Sequence, residues 1–252
     1  MKSKDWDRIS KDYYKEIISP IKDSVGKNLL LERIEYHGSK QKVVADLGCG
    51  IGPLLGILSK KYKHVYALDY SKEMVEQSQN KNKSRKNISY HVRDFSNLSI
   101  LKNKLDVAIS VNSFLAEDTK KLNKIIKQIY NSLKNKGVFI GVLPAMESYL
   151  YQAVLIREKR ICAGDSEKKA SNKAQKLIKI GNYDFVKGTI TFDGDIEKTF
   201  YEFEILYRFR KAGFKNIKVS KIYYDWKEWK KAGQTYFPKE EPPWDWFVEC
   251  QK

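Results

Sequence analysis

The sequence predicts an α/β fold with a doubly wound, mostly parallel seven-stranded sheet and helices on both faces. Apolar segments of strand length alternate with amphipathic stretches of helix length over roughly residues 40–143. The first apolar segment runs into a glycine-rich turn, and the next three end in polar residues. The 252 residues, 42% of them hydrophobic and 31% charged, are enough to bury one substantial core.

The alternation also sets the order of the elements. Strands are predicted near 43–47, 65–69, 88–92, 105–111 and 138–143, with helices near 53–61, 71–82, 97–103 and 119–134 between them. Gly137 is predicted to close the last of these helices in the C′ position. Towards the C-terminus the pattern predicts a helix over 199–212 and strands near 216–223 and 245–250.

Three glycines at alternate positions follow the first predicted strand: Gly48, Gly50 and Gly52. Glycine adopts positive φ readily and lets the backbone come close to a bound molecule, so this turn is predicted to be shaped around a ligand. Pro53 at the following helix start removes one N–H donor, which disfavours a phosphate held over that helix.

Acidic residues lie at three successive strand ends. Asp69 follows Asp46 by 23 positions, near the spacing at which a carboxylate binds a ribose diol. Asp94 ends the third segment, and Asn112 and Ser113 end the fourth. Each aspartate could instead cap a turn or the next helix. Their recurrence at consecutive strand ends favours a shared ligand site.

Residues 46–52 read Asp-Leu-Gly-Cys-Gly-Ile-Gly, and this motif resembles the first motif of class I S-adenosylmethionine-dependent methyltransferases. That motif is an acidic residue followed by Gly-x-Gly-x-Gly, whereas a dinucleotide site would show Gly-x-Gly-x-x-Gly. The resemblance is specific over roughly residues 40–143, and the rest of the chain matches the family only loosely. It implies methyl transfer with S-adenosyl-L-methionine as cofactor and S-adenosyl-L-homocysteine as product. It also implies that the seventh strand is antiparallel.

The resemblance implies a role for each strand end. The first loop would border the amino-acid end of the cofactor, and the second strand end would hold the ribose. The third would hold the adenine, and the fourth would lie where the methionine part faces the substrate. In the first loop these residues are Asp46, Gly48, Gly50 and Gly52, with Cys49 as a small filler. Asp69 would bind the ribose hydroxyls, and Tyr70 and Met74 would pack near the adenine. Asp94 and Phe95 would contact the adenine, and Asn112 and Ser113 would lie where the methionine part faces the substrate.

Two segments outside the cofactor core are expected to select the substrate. The predicted organisation is an N-terminal helical lid over 1–36, a cofactor-binding core over 37–144, an inserted lid over 145–198 after the fifth strand, and a completion of the sheet over 199–252. The insertion is predicted to contain helices near 146–162 and 166–180 and a hairpin over 183–192 that turns at Lys187 and Gly188. A lid of this kind would exclude water and align the acceptor.

Catalysis places few demands on the protein, because an aligned and deprotonated acceptor suffices for methyl transfer. No compulsory catalytic residue is therefore expected, and Tyr14, Glu117 and Tyr149 are the candidates. The fourth strand end lacks an Asn-Pro-Pro-Tyr signature and no Pro-Cys pair occurs, which disfavours methylation of adenine, of protein glutamine or of cytosine C5. A small-molecule oxygen, nitrogen or sulfur acceptor is the leading hypothesis.

The net charge of +17 keeps RNA as the second hypothesis. Only eight of the 48 basic residues are arginine and the lysines are spread along the chain, which favours a solvated surface instead. A cofactor-binding module without transferase activity is the third hypothesis. Three cysteines and three histidines, widely scattered, predict no metal site. The absence of an apolar run of about 20 residues or of a signal core predicts a cytoplasmic protein without membrane partners.

Overall fold

The structure is a computed structural model that describes residues 19–113, 116, 118–177, 183–192, 195–231 and 236–252. The strands are β1 Val43–Leu47, β2 His64–Asp69, β3 Ile88–Val92, β4 Leu105–Val111, β5 Leu133–Pro144, β6 Tyr183–Asp184, β7 Thr189–Phe192, β8 Asp195–Lys198, β9 Lys215–Tyr223 and β10 Trp244–Gln251. The helices are α1 Leu29–His37, α2 Leu55–Lys61, α3 Lys72–Lys81, α4 Thr119–Ser132, α5 Met146–Cys162, α6 Glu167–Leu177, α7 Glu202–Ala212 and α8 Trp226–Lys231.

Seven strands form one sheet in the order β3-β2-β1-β4-β5-β10-β9. β1 to β5 run parallel, and β10 runs antiparallel to both β5 and β9. The doubly wound, mostly parallel sheet that the sequence predicts is therefore confirmed. The strand order reverses between β1 and β4, and in such sheets ligands bind outside the carboxyl ends of the strands at this point.

The sheet has an apolar core on each face. On one face, the Phe139 ring lies 5.4 Å from that of Phe209 and 6.2 Å from that of Phe214, which joins β5 to α7. α4 packs on the same face, because Leu122, Ile125, Ile126 and Ile129 repeat at helical spacing and are buried. α1 and α2 cover the other face. These cores hold the strand ends in fixed positions, which a site built on them needs.

The predicted helix over 97–103 is wrong, because the structure has only a 3-10 turn at Ser99–Leu101. The Asn97 side chain accepts from the Ser99 amide at 3.3 Å, and Lys102 leaves the helical region. Asn103 then takes a positive φ of 53°. Local hydrogen bonds from an asparagine side chain compete with helix formation in this way.

The predicted role of Gly137 is also wrong. α4 ends at Ser132, and Gly137 lies inside β5, which begins at Leu133 instead of at 138. Leu133 already pairs with Leu105 of β4, and a register shift follows between Leu105 and Val107. The early pairing extends the strand back to the end of α4 and leaves no loop for a C′ glycine.

The segment after β5 contains α5, α6 and a small sheet in the order β6-β7-β8. The predicted hairpin is present, with Gly188 at a φ of 64°, and β8 adds a third strand that the sequence pattern did not predict. The Phe200 amide donates to the Pro144 carbonyl at 2.7 Å, and the Met146 amide donates to Phe200 at 3.0 Å. These contacts hold the two ends of the segment together and delay the start of α7 to Glu202.

None of the helices in the described ranges has the length and hydropathy needed to cross a bilayer. Within the same ranges, no group of three or more histidine, cysteine, aspartate or glutamate side chains could hold a metal ion.

Candidate functional site

The glycine turn after β1 is fastened to the end of β2. The amides of Gly48 and Cys49 both donate to the Leu68 carbonyl, at 2.8 Å and 2.9 Å. Gly48 and Gly52 have φ values of 80° and 81°, in the left-handed region that side chains disfavour. A Cβ on Gly48 would lie 2.1 Å from the Ser113 hydroxyl oxygen, so the turn also contacts the end of β4.

Asp69 is the residue that this turn orients. Its carboxylate is nearly buried and accepts from the Gly50 amide at 3.0 Å and from the Ser71 amide at 2.9 Å, one on each oxygen. These contacts fix the orientation of the carboxylate, and each of its oxygens can accept more than one hydrogen bond. The Asp69 side chain therefore suits a pair of neighbouring hydroxyls.

Asp46 is buried beneath the same turn, and its Oδ2 has no hydrogen-bond partner in the described structure. Burial, followed by the charge of Asp69, raises the pKa of Asp46 to about 7. An unpartnered buried carboxylate is costly, because the charge loses its hydration. A cationic group of a ligand would remove that cost.

The pKa of Asp46 predicts a pH-dependent stability. Because the folded protein holds this proton more tightly than the unfolded chain, stability should fall as pH rises from about 4 to about 7 and then level off, by as much as about 4 kcal/mol. Asp46→Asn should remove this decrease. Urea unfolding of the ligand-free proteins between pH 4 and pH 8 would measure it, and parallel curves for both proteins would contradict the assignment.

A cavity of about 100 Å³ opens beside the turn, at the ends of β3 and β4. Asp94 at its wall accepts from the Ser96 amide at 2.7 Å and pairs with Lys121 at 3.0 Å. Although partial burial opposes it, these partners hold the pKa of Asp94 below its ordinary value. The residues that line the cavity are Tyr70, Arg93, Asp94, Phe95, Ser113, Ala116, Lys121 and Ile125.

A second polar cluster lies at the same edge, beyond β5. Asp245 at the start of β10 is 8% exposed, and its Oδ2 accepts from the Tyr224 hydroxyl at 2.5 Å and from the Asn112 amide at 2.8 Å. Burial raises the pKa of Asp245, although these two hydrogen bonds and a third from the Ala145 backbone oppose the shift. Burial also raises the pKa of Tyr149 in the first turn of α5, with Glu197 and Asp245 adding to it.

The structure thus brings most of the predicted site residues to one edge of the sheet, although Met74 and Cys49 are buried below it. Burial raises the pKa of the Cys49 thiol well above its ordinary value, so this cysteine is not a ready nucleophile. Two catalytic candidates, Tyr14 and Glu117, lie outside the described residues.

Asp245 and Tyr224 were not predicted from the sequence. Asp245 is the one charged residue in the run Trp-Asp-Trp-Phe-Val of β10. A charged residue inside an apolar strand could have indicated a functional position. Tyr224 offered no local signal, because its partner is 21 positions away in the chain.

Comparison with known proteins agrees with this geometry. Residues 44–137 match a family model described as a methyltransferase domain. A stretch of 116 residues is 30% identical to carboxy-S-adenosyl-L-methionine synthase of Nautilia profundicola, and this covers 45% of the chain and 49% of that protein. The chain thus spans about half the length of the curated relative that it matches.

Solved structures share the fold over nearly the whole chain. The PH0226 protein of Pyrococcus horikoshii aligns with a TM-score of 0.61 and 18% identity, over 95% of this chain and 98% of its own. The N-methyltransferase NodS of Bradyrhizobium japonicum, solved with S-adenosyl-L-homocysteine, aligns with a TM-score of 0.57 and 10% identity, over 88% of this chain and 83% of its own.

Proposed function

We propose that this protein, whose residues 44–137 match a methyltransferase-domain model, is a class I S-adenosylmethionine-dependent methyltransferase that acts on a small molecule. The acceptor atom would be an oxygen, nitrogen or sulfur. The methyl group would be transferred by in-line displacement at the carboxyl edge of the sheet.

The observation that carries the proposal is the buried Asp46 oxygen without a partner, next to the turn that orients Asp69. S-adenosylmethionine carries an ammonium group and a ribose diol, which are the groups that these two carboxylates would complement. The absence of a side chain on Gly48 lets the turn lie directly against the Ser113 side chain at the end of β4, so both border one site. The residues present therefore fit the cofactor.

Asp46 and the glycine turn would hold the amino-acid end, and Asp69 would hold the ribose hydroxyls. Tyr70, Asp94 and Phe95 border the cavity that would take the adenine. When bound, S-adenosylmethionine supplies an electrophilic methyl group on a sulfonium. The protein then has to orient the acceptor, exclude water and accept a proton where the acceptor carries one.

RNA is a weaker candidate, because only eight of the 48 basic residues are arginine, which forks onto phosphates, and the lysines are spread along the chain. Nucleic-acid binding would call for unpaired basic side chains on one face.

Incubation with methyl-labelled S-adenosylmethionine and a cell extract separated into small-molecule, RNA and protein fractions would test the proposal. We expect label in the small-molecule fraction, and none there with the Asp69→Ala variant. Label confined to RNA would refute the small-molecule assignment. Tight cofactor binding without label in any fraction would instead favour a cofactor-binding module without transferase activity.

A further inference from the structure

The polar cluster at the start of β10 contains a carboxylate without a counter-ion. Asp245 accepts hydrogen bonds from the Tyr224 hydroxyl, the Asn112 amide and the Ala145 backbone, which are all neutral. No lysine, arginine or histidine of the described structure forms an ion pair with it. The buried carboxylate of Glu204 is different. Glu204 is paired with Lys198 at 2.7 Å and with Arg208 at 2.7 Å. A carboxylate buried for structural reasons is normally paired in this second way.

The cluster also contains an amide oxygen without a partner. Asn112 donates to Asp245 through its Nδ2, whereas its Oδ1 is buried and accepts no hydrogen bond in the described structure. The backbone of Asn112 has a positive φ of 47°, which is uncommon even for asparagine. The Asp245 carboxylate and the Asn112 amide oxygen are both hydrogen-bond acceptors. Together they suit a ligand group that carries several N–H donors.

The position of the cluster connects it to the cofactor site. Asn112 precedes Ser113, whose hydroxyl lies against Gly48 in the glycine turn. Asp245 pairs with Pro144 at the carboxyl end of β5, and the Tyr224 amide donates to the Pro243 carbonyl at 2.8 Å. The cluster therefore lies at the same edge as the glycine turn, on the side away from the adenine cavity.

We propose that Asp245, held by Tyr224 and Asn112, binds the ammonium form of an amine and accepts its proton, so that the methyl acceptor is a primary or secondary amine. This inference rests on the proposed function. The proton passes from the ammonium nitrogen to the Asp245 carboxylate, and the freed lone pair forms the new N–C bond. The S–C bond breaks in the same step, and its electron pair stays on sulfur as the neutral thioether.

Tyr224 lies in a cluster of aromatic side chains. Its ring lies 5.5 Å from that of Trp229, and Trp226 and Trp229 complete an apolar cluster with it. The Trp229 indole donates to Gln152 at 2.8 Å, which fixes the ring. Aromatic rings and a carboxylate together favour ammonium groups over neutral alcohols.

Ligand-observed NMR on the protein saturated with S-adenosylhomocysteine would test the inference. The probes are butylamine, phenethylamine and 1,4-diaminobutane, each compared with the alcohol of the same skeleton. We expect at least one amine to bind at least about tenfold more tightly than its alcohol, and Asp245→Asn to abolish this preference. Equal binding of amines and alcohols, no binding of any amine, or an unchanged preference in the variant would each overturn the proposal.

Glu204→Gln is the matched control, because it neutralises another buried carboxylate that is ion-paired and lies outside the cluster. If the loss of preference in Asp245→Asn came only from a weakened fold, Glu204→Gln would reduce the preference as well. We expect Glu204→Gln to keep the preference for amines to within about threefold. Calorimetry with S-adenosylhomocysteine separates the two proposals. Absent binding to the parent protein would count against the proposed function, and the same NMR series on the ligand-free protein would then decide the role of Asp245.

Discussion

Replacement of Asp69 by alanine is expected to weaken the binding of S-adenosylhomocysteine at least about 100-fold, because two hydrogen bonds to a charged acceptor contribute roughly 1.5–3 kcal/mol each. The two ribose hydroxyls of the ligand would lose their shared hydrogen-bond acceptor at once. Isothermal titration calorimetry of the parent protein and the variant measures this loss directly. The change should appear mainly in the enthalpy, since hydrogen bonds between oriented groups are lost.

Asp69 also accepts from the amides of Gly50 and Ser71, so the variant could weaken binding by loosening the turn instead. Ser71→Ala is a control that weakens the start of α3 beside Asp69 and keeps both backbone hydrogen bonds to the carboxylate. It removes the side chain that accepts from the Met74 amide at 3.1 Å at the start of α3, and it leaves the carboxylate in place. We expect it to cost about 1 kcal/mol of stability and to change the affinity less than about threefold. An equally large loss of affinity in Ser71→Ala would disprove the direct role of Asp69.

The cofactor half of the site was predictable because its information is local. The family match over residues 44–137, described as a methyltransferase domain, includes residues 46–52, which carry the resemblance. Each of the other cofactor positions follows a strand end, and parallel strands bring their carboxyl ends to one edge whatever the lengths of the intervening helices. The roles of the individual residues in holding the cofactor remain predictions.

The proposed acceptor half could not be predicted in the same way, because its residues come from distant segments of the chain. Asn112 and Asp245 are 133 positions apart and meet only because β10 inserts antiparallel beside β5. The sequence pattern predicted the strand but gave no register, and register decides which β10 residue lies at the edge. The wrong prediction of a helix over 97–103 has a different cause. A hydrogen bond from the Ser99 amide to the Asn97 side chain decides the local structure there, and the hydrophobic periodicity of the sequence does not indicate such a bond.

Replacement of Gly48 by alanine is expected to abolish measurable binding of S-adenosylhomocysteine and to destabilise the protein by roughly 2–5 kcal/mol. Part of the cost comes from the φ of 80°, which disfavours any side chain. The larger part comes from crowding, since the new Cβ would lie 2.1 Å from the Ser113 hydroxyl oxygen and 2.4 Å from its Cβ. The turn or the end of β4 must move, and both border the proposed site. Thermal unfolding and calorimetry would measure the two effects.

Gly164→Ala separates the two causes, because Gly164 has a φ of 90° but nothing within 4 Å of a new Cβ. It should cost only the backbone penalty of roughly 1–2 kcal/mol and leave cofactor binding intact. Addition of Ser113→Gly to the Gly48→Ala variant removes both crowded atoms, so it should recover the crowding part of the lost stability. If Gly48→Ala were no more destabilising than Gly164→Ala, the turn could move away from β4 freely. In that case the contact between Gly48 and Ser113 would not be what shapes the site.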